Sequence, residues 1–220
     1  MSTDDREGRL PLPRVRGRAD AALFDFAVAV LRVWVAVVHG LRVTGREHLD
    51  GVRGGLVTVA NHVHYLDCGM VAGQARRRVT FTAKAENFEL PVAGFLVRHL
   101  GSVEVPRTPE QHAAFEPVVR ARIRAGEAVH FYPEGELIPY DRTLRPFRHG
   151  AFTYACRLGV PVVPMVLTYG RRPWWRRRPP FRLTILEAQR PTGDGPEAAA
   201  DLMARCRAAM EQVVAQAEAG

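Results

Sequence analysis

The chain has 220 residues, 47% of them hydrophobic and 25% charged, with a formal net charge of +8. That length and balance exclude a disordered chain or a disulfide-stapled miniature and leave room for one substantial domain with its own core. The positive charge selects polyanionic partners: nucleic acid, an anionic membrane, or phosphorylated and CoA-like ligands. Three widely separated cysteines, Cys68, Cys156 and Cys206, form no Cys-x-x-Cys pair. They point to a reducing intracellular setting with thiols used for packing.

Residues 1–18 are polar, arginine-rich and punctuated by proline, the composition of a flexible arm. Residues 19–40 contain the most apolar stretch, Ala21 to Val38, interrupted by Asp25 and Arg32. On a helix, Asp25, Arg32 and His39 recur every seven residues and fall close to one face. Leu23, Phe26, Val30, Trp34, Val37 and Leu41 cover much of the rest. Two charges in mid-segment are costly in a spanning helix. The spacing therefore predicts a helix lying in the membrane interface, with its polar stripe turned to water or to the protein and Trp34 at headgroup depth. The alternative is an amphipathic helix packed on a soluble core. No small-x-small cleavage site follows, which argues against a secretory signal.

Beyond it, strands and helices alternate. Strands are predicted over Arg42–Arg46, Leu56–Ala60, Val79–Ala83, Ser102–Val105, Ala128–Tyr132, Val162–Thr168 and Arg182–Glu187. Helices are predicted over Leu66–Ala75, Leu90–Leu100, Thr108–Ala125 and Ala151–Leu158, and from about Pro196 to the end. Thr108-Pro109-Glu110-Gln111 offers an N-cap hydroxyl, proline in the first turn and Gln three residues after the cap. The last helix carries Leu202, Cys206, Met210, Val213 and Ala217 on its apolar side. The fold class is α/β: a mixed, mostly parallel sheet flanked by helices, with an N-terminal amphipathic membrane-interface helix. The α/β domain is drawn over residues 41–195, with residues 196–220 as a helix packed on it.

Chemistry concentrates at two strand ends. Asn61-His62-Val63-His64-Tyr65-Leu66-Asp67 follows the apolar run Leu56–Ala60. Imidazole takes a proton near neutral pH, and a carboxylate orients it and stabilises its charged form. By themselves His62 and Asp67 leave open a general base, half a metal site or a structural hydrogen bond. Phe131-Tyr132-Pro133-Glu134-Gly135-Glu136 follows a second apolar run and sets a carboxylate on a tight turn whose glycine permits close ligand approach. Two such motifs converge on the strand edge where open α/β sheets bind ligands.

With these blocks in order, the chain resembles the phospholipid-synthesis acyltransferases typified by 1-acyl-glycerol-3-phosphate acyltransferase. Asn61-His62 to Asp67 matches the family's Asn-His-x4-Asp. Gly101 to Arg107 matches its second block, a strand ending in a ligand-binding Arg. Phe131 to Gly135 matches its Phe-Pro-Glu-Gly block, with Tyr132 read as an extra residue. Val160-Pro161-Val162-Val163-Pro164 matches its Val-Pro-rich block. The resemblance covers roughly Leu41 to Thr168. It implies transfer of a fatty acyl chain from acyl-CoA or acyl carrier protein to the hydroxyl of a lysophospholipid, 1-acyl-glycerol-3-phosphate first among acceptors. His62 would act as general base, Asp67 as its partner, and Asn61, Lys84, Arg107, Glu134, Gly135 and Arg148 as substrate contacts. Neither a metal nor a cofactor other than the acyl donor is implied, and no acyl-enzyme. The family continues Glu-Gly-Thr-Arg-Ser, whereas here Glu136 and Leu137 follow Gly135, so a phosphate-binding Arg is replaced by Leu137. Arg142, Arg145 and Arg148 stand nearby as substitutes.

Three rival readings accompany this one. His62-Val63-His64 with Asp67 invites a metal-dependent hydrolase, although Cys68 stands where a further His is usual. Cys68 itself, beside the motif, is a candidate nucleophile. Arg171-Arg172-Pro173-Trp174-Trp175-Arg176-Arg177-Arg178 pairs indoles with cations. That mixture suits a membrane interface through Trp174 and Trp175 or single-stranded nucleic acid by stacking. Beside the apolar N-terminal segment, the membrane is expected and nucleic acid is not. The protein is expected on the cytoplasmic face of a membrane as a peripheral or monotopic protein.

Overall fold

A computed structural model describes residues 29–30, 33–89, 94, 97, 101–175 and 177–219. The arm expected over residues 1–18, most of the apolar segment before Val33 and most of the helix expected over Leu90–Leu100 lie outside the described residues. The chain runs through a helical segment over residues 33–39 (α1), then β1 (Arg42–Thr44), α2 (Arg46–Asp50), β2 (Leu56–Ala60), α3 (Asp67–Ala72), β3 (Val79–Ala83) and α4 (Ala85–Glu89). It continues through β4 (Val103–Glu104), α5 (Pro109–Arg124), β5 (Ala128–Phe131), α6 (Gly150–Leu158), β6 (Val162–Tyr169), β7 (Phe181–Ile185) and α7 (Pro196–Ala219).

The strands form one seven-stranded sheet in the order β1-β7-β6-β2-β5-β3-β4. β2, β3, β4, β5 and β6 are mutually parallel, β7 runs antiparallel to β6, and β1 pairs parallel to β7. All five residues of β2 are buried. A central parallel strand covered on both faces reads as a continuous apolar run for this reason. Its side chains alternate between two cores. Val57 and Val59 meet Phe115, Val119 and Ile123 of α5, Phe152 of α6, and Leu202, Cys206 and Met210 of α7. Leu56 and Ala60 meet Val35, Leu49, Met70 and Val71 on the opposite side. The mixed, mostly parallel sheet between two helical layers is the fold read from the sequence.

α5 starts where the capping pattern places it. Thr108 Oγ1 accepts the Gln111 N–H at 3.3 Å, and Gln111 Oε1 accepts the Thr108 N–H at 3.3 Å. α7 buries Ala199, Leu202, Cys206 and Met210 against the sheet. α1 departs from an ordinary soluble amphipathic helix. Only Val35 and His39 of its described residues are buried, while Val33, Trp34, Val37 and Val38 are exposed. The polar His39 faces the protein and the apolar face points away from it. No helix among the described residues is long and apolar enough to cross a membrane.

Candidate active site

The parallel arrangement brings the C-terminal ends of β2 and β5 side by side, with Val59 level with Phe131. The loop leaving β2 carries Asn61 to Leu66, and the turn leaving β5 carries Tyr132 to Gly135. They are stitched together where Ile138 N–H donates to His62 O at 3.2 Å and Tyr140 N–H to Val63 O at 2.9 Å.

Asp67 opens α3, where the exposed amides of a helix start favour a carboxylate. Its side chain is only 1% exposed, a costly position for a charge unless hydrogen bonds replace water. Three do so. His62 Nδ1 lies 2.5 Å from Oδ2, His64 N–H donates to Oδ2 at 3.5 Å, and Tyr132 O–H donates to Oδ1 at 3.0 Å. A carboxylate only accepts, so His62 Nδ1 carries the ring proton and Nε2 keeps its lone pair. His62 retains 20% exposure, enough for a hydroxyl to approach. The Tyr132 ring stacks on the imidazole at 3.9 Å with a 13° interplanar angle. Burial, followed by the Asp67 charge, holds the Tyr132 phenol well above its usual value, so it stays protonated and donates.

Glu134 is buried beneath the same loop. Its Oε2 lies 3.4 Å from His62 N–H and pairs with Arg145 Nη2, which also donates to Glu136 O. Desolvation raises the Glu134 carboxyl above its ordinary value, against the opposing charge of Arg145. Its Oε1 is buried without a hydrogen-bond partner. Gly135 has φ +73°, and a Cβ there would come within 2.6 Å of Arg148 Nε, so the turn requires glycine. Arg148 N–H donates to Pro133 O at 2.8 Å, which pins the returning chain to this turn.

The remaining expected residues divide. Asn61 is buried, and both ends of its amide are used by Leu167 of β6: Nδ2 donates to Leu167 O at 2.9 Å and Oδ1 accepts its N–H at 2.8 Å. That geometry joins the end of β2 to β6 and gives the amide a structural role. Lys84 is half-buried just past β3. Arg107 lies beyond edge strand β4, exposed and paired to both oxygens of Glu86. Three strand spacings separate β4 from β2, roughly 14 Å at the usual interval. Trp34, Trp174 and Trp175 are exposed, Trp174 at 89%.

The metal and nucleophile alternatives meet specific obstacles. His64 Nδ1 accepts the Leu66 N–H at 3.2 Å, and its ring faces His39, Phe181 and Tyr140 rather than His62. Among the described residues no group of three His, Cys, Asp or Glu side chains is placed to hold a metal ion. Desolvation pushes the Cys68 thiol up to about 12, far from the thiolate a nucleophile needs.

Comparison with known proteins bears on this geometry. A family model described as Acyltransferase matches residues 40–168, more than half of the chain. The chain belongs to the acyltransferase family. It is 30% identical to a chloroplastic 1-acyl-sn-glycerol-3-phosphate acyltransferase of Brassica napus over 70% of its own length and 47% of the relative's. It is 31% identical to a lyso-ornithine lipid O-acyltransferase of Rhodobacter capsulatus over 68% of its length and 56% of the relative's. The chain thus spans about half the length of these relatives. The crystal structure of a 1-acyl-sn-glycerophosphate acyltransferase, PlsC, from Thermotoga maritima shares its fold. The TM-score is 0.63 at 21% identity, covering 91% of this chain and 84% of that one.

The structure adds contacts around this candidate site that the sequence did not reveal: Tyr132 on His62 and Asp67, His130 behind it, Arg145 on Glu134 and His39 beside His64. His130 stands behind Tyr132, 4.6 Å between ring centroids, with Nδ1 2.8 Å from Thr58 Oγ1. Burial holds it neutral by lowering it to about 3. The one available signal was a histidine inside the apolar run Ala128–Phe131. Arg145 was expected only as a substitute phosphate contact, and no local signal marked its pairing with Glu134. β5 pairs regularly with β2 through Phe131, whose side chain is buried in the core, and Tyr132 follows at the start of the turn.

Proposed function

We propose that this chain transfers a fatty acyl group from acyl-CoA or acyl carrier protein to the hydroxyl of 1-acyl-glycerol-3-phosphate at a membrane surface. The observation that carries this reading is the His62–Asp67 pair at the β2 edge. Nδ1 is held at 2.5 Å by a buried carboxylate, and the opposite nitrogen has its lone pair free. An alcohol is a poor nucleophile at neutral pH and needs its proton removed during attack. His62 Nε2 takes that proton as the oxygen bonds to the thioester carbonyl carbon. Asp67 stabilises the imidazolium that forms. Collapse of the tetrahedral adduct breaks the C–S bond, and the departing thiolate recovers the proton from His62. No residue is acylated, in keeping with a Cys68 thiol that stays protonated.

A phosphate-bearing acceptor is supported by the relatives' names and by the basic residues Lys84 and Arg148; Arg107 would join them only by exchanging Glu86 for the phosphate. One observation favours a second acceptor. Leu137 stands where the family carries a phosphate-binding arginine, with the carboxylate of Glu136 beside it, and one relative is named for lyso-ornithine lipid. A membrane setting is supported by the outward apolar face of α1 and by Trp174 and Trp175, exposed at 89% and 68%. Indoles beside arginines suit the headgroup layer of an anionic bilayer.

Thiol release from acyl-CoA, measured with lysophosphatidate, glycerol 3-phosphate and lyso-ornithine lipid, tests the reading. Activity should be highest with lysophosphatidate, and His62→Ala should lose on the order of 10²–10⁴ in rate. Wild-type rates in His62→Ala would remove the mechanism, and activity with lyso-ornithine lipid alone would replace the acceptor. Flotation with anionic vesicles should weaken in Trp174→Ser/Trp175→Ser, with the melting temperature unchanged. Undiminished flotation would remove that loop from the membrane contact.

A further inference from the structure

We infer that Tyr132 is a positioning residue, locking His62 and Asp67 into the arrangement that proton transfer needs. The inference rests on the proposed role of His62 as base. A carboxylate gripped at one oxygen still turns about its broad terminal torsion. Here His62 and the His64 amide hold Oδ2, and Tyr132 holds Oδ1 at 3.0 Å, so the carboxylate is fixed at both ends. The same side chain covers the imidazole face at 3.9 Å and 13°. That stack limits tilting of the ring and offers a π face to the imidazolium formed during attack. One residue thus touches both members of the pair.

Tyr132 is itself held from behind. The His130 ring meets it edge-on at 4.6 Å and 75°, and His130 is anchored to Thr58 of β2 at 2.8 Å. Pro133 follows, and the Pro133–Arg148 hydrogen bond of 2.8 Å fixes the turn beyond. The orientation of the base pair is therefore referred through Tyr132 and His130 to the centre of the sheet.

Tyr132→Phe keeps the stack and removes the donor to Oδ1. Negative charge then concentrates on Oδ2, so His62 holds its proton more tightly. The acid limb of the kcat/KM profile should move to higher pH. kcat should fall about tenfold with both KM values unchanged, the scale of one hydrogen bond to a charged group. Replacing Tyr132 by 3-fluorotyrosine keeps shape and fold while making the phenol a stronger donor, and should move the limb to lower pH. In an Asp67→Asn background the effect of Tyr132→Phe should shrink towards none, because Tyr132 acts through that carboxylate. An unmoved pH limb in both Tyr132 variants, or an equal tenfold loss with and without Asp67→Asn, overturns the inference. Either result beside an inactive His62→Ala removes this inference alone, whereas an active His62→Ala removes the base mechanism beneath it.

Discussion

Replacing Arg145 by alanine isolates the carboxylate of Glu134, whose side chain is 1% exposed and whose Oε1 already lacks a partner. Breaking a buried ion pair from one side costs about 3–5 kcal/mol. Arg145 is 17% exposed and the His62 N–H remains on Oε2, so the lower end, about 3 kcal/mol, is expected at pH 8. For a chain of this size that is about 6–12 °C in melting temperature. The pH dependence follows from the direction in which Glu134 is displaced. Burial raises its folded-state pKa, so the stability linked to this group is fully present below the ordinary carboxylate range. It is lost as pH rises through the raised value. Arg145 limits that loss. Without it the folded pKa climbs further, and the gap between wild type and Arg145→Ala opens as pH rises from 5 to 8. Asp141, also within 3.6 Å of Arg145 Nε, is held below its usual value mainly by the Thr143 N–H and stays ionised across that window. Its share of the effect is constant, and about 1 kcal/mol of loss should persist at pH 5. Thermal unfolding of wild type, Arg145→Ala and Glu134→Gln/Arg145→Ala at both pH values checks this. An equal loss at pH 5 and pH 8, or no recovery of stability in the double variant at pH 8, would refute the argument.

Asn61→Ala leaves Leu167 N–H and C=O without partners and should cost about 2–3 kcal/mol in denaturant unfolding. Its KM values, measured well below the melting temperature, should stay within a factor of about two; a large KM increase would make Asn61 a substrate ligand after all. Gly135→Ala places a side chain at φ +73° against Arg148 and should cost about 1–2 kcal/mol. Because the same turn sets Glu134, kcat/KM should fall with it; full activity would mean that the turn is dispensable.

Local signals were legible where a few neighbouring residues decide the outcome. β2 and β3 occupy the runs Leu56–Ala60 and Val79–Ala83 expected for them, since buried parallel strands are written as unbroken apolar stretches. α5 begins after Thr108 because cap, proline and Gln lie within four residues. The five-residue helices α2 and α4 were not expected, and a single turn has no periodicity to reveal it. His62, Asp67 and Glu134 were legible because each sits at or just beyond a strand end in a motif. Their supports were not. Tyr132 meets Asp67 across 65 residues and His130 meets Thr58 across 72, contacts that exist only because β5 lies beside β2. The same strand order explains Arg107. The sequence puts it in a block with the others, but two strands intervene between β4 and β2.

The proposed membrane contact and the base are joined through the buried side of α1. Arg178 donates to His39 Nε2 at 3.2 Å, and a guanidinium only donates, so that nitrogen is unprotonated. Burial first, then the charges at His64 and Arg178, lowers His39 to about 4, and it remains neutral near physiological pH. Among the described residues of α1, the buried polar side chain is that of His39, whose Nε2 is met by the loop that also carries Trp174 and Trp175 while its Nδ1 is buried without a partner. Val33, Trp34, Val37 and Val38 are left exposed on the outer face of the helix. Full burial of such side chains is worth about 1.5–3 kcal/mol each, and a bilayer interface recovers part of it. His39 meets the His64 ring at 4.9 Å, and the His64 amide reaches the carboxylate that holds His62. From exposed Trp34 to His62, the path runs through the His39 ring, the ring and backbone amide of His64, and the Asp67 carboxylate. An acceptor whose acyl chain remains among lipids must present its hydroxyl close to the bilayer surface. With His62 as the proposed base and the outward face of α1 as the proposed membrane contact, that requirement is met without extracting the lipid into water.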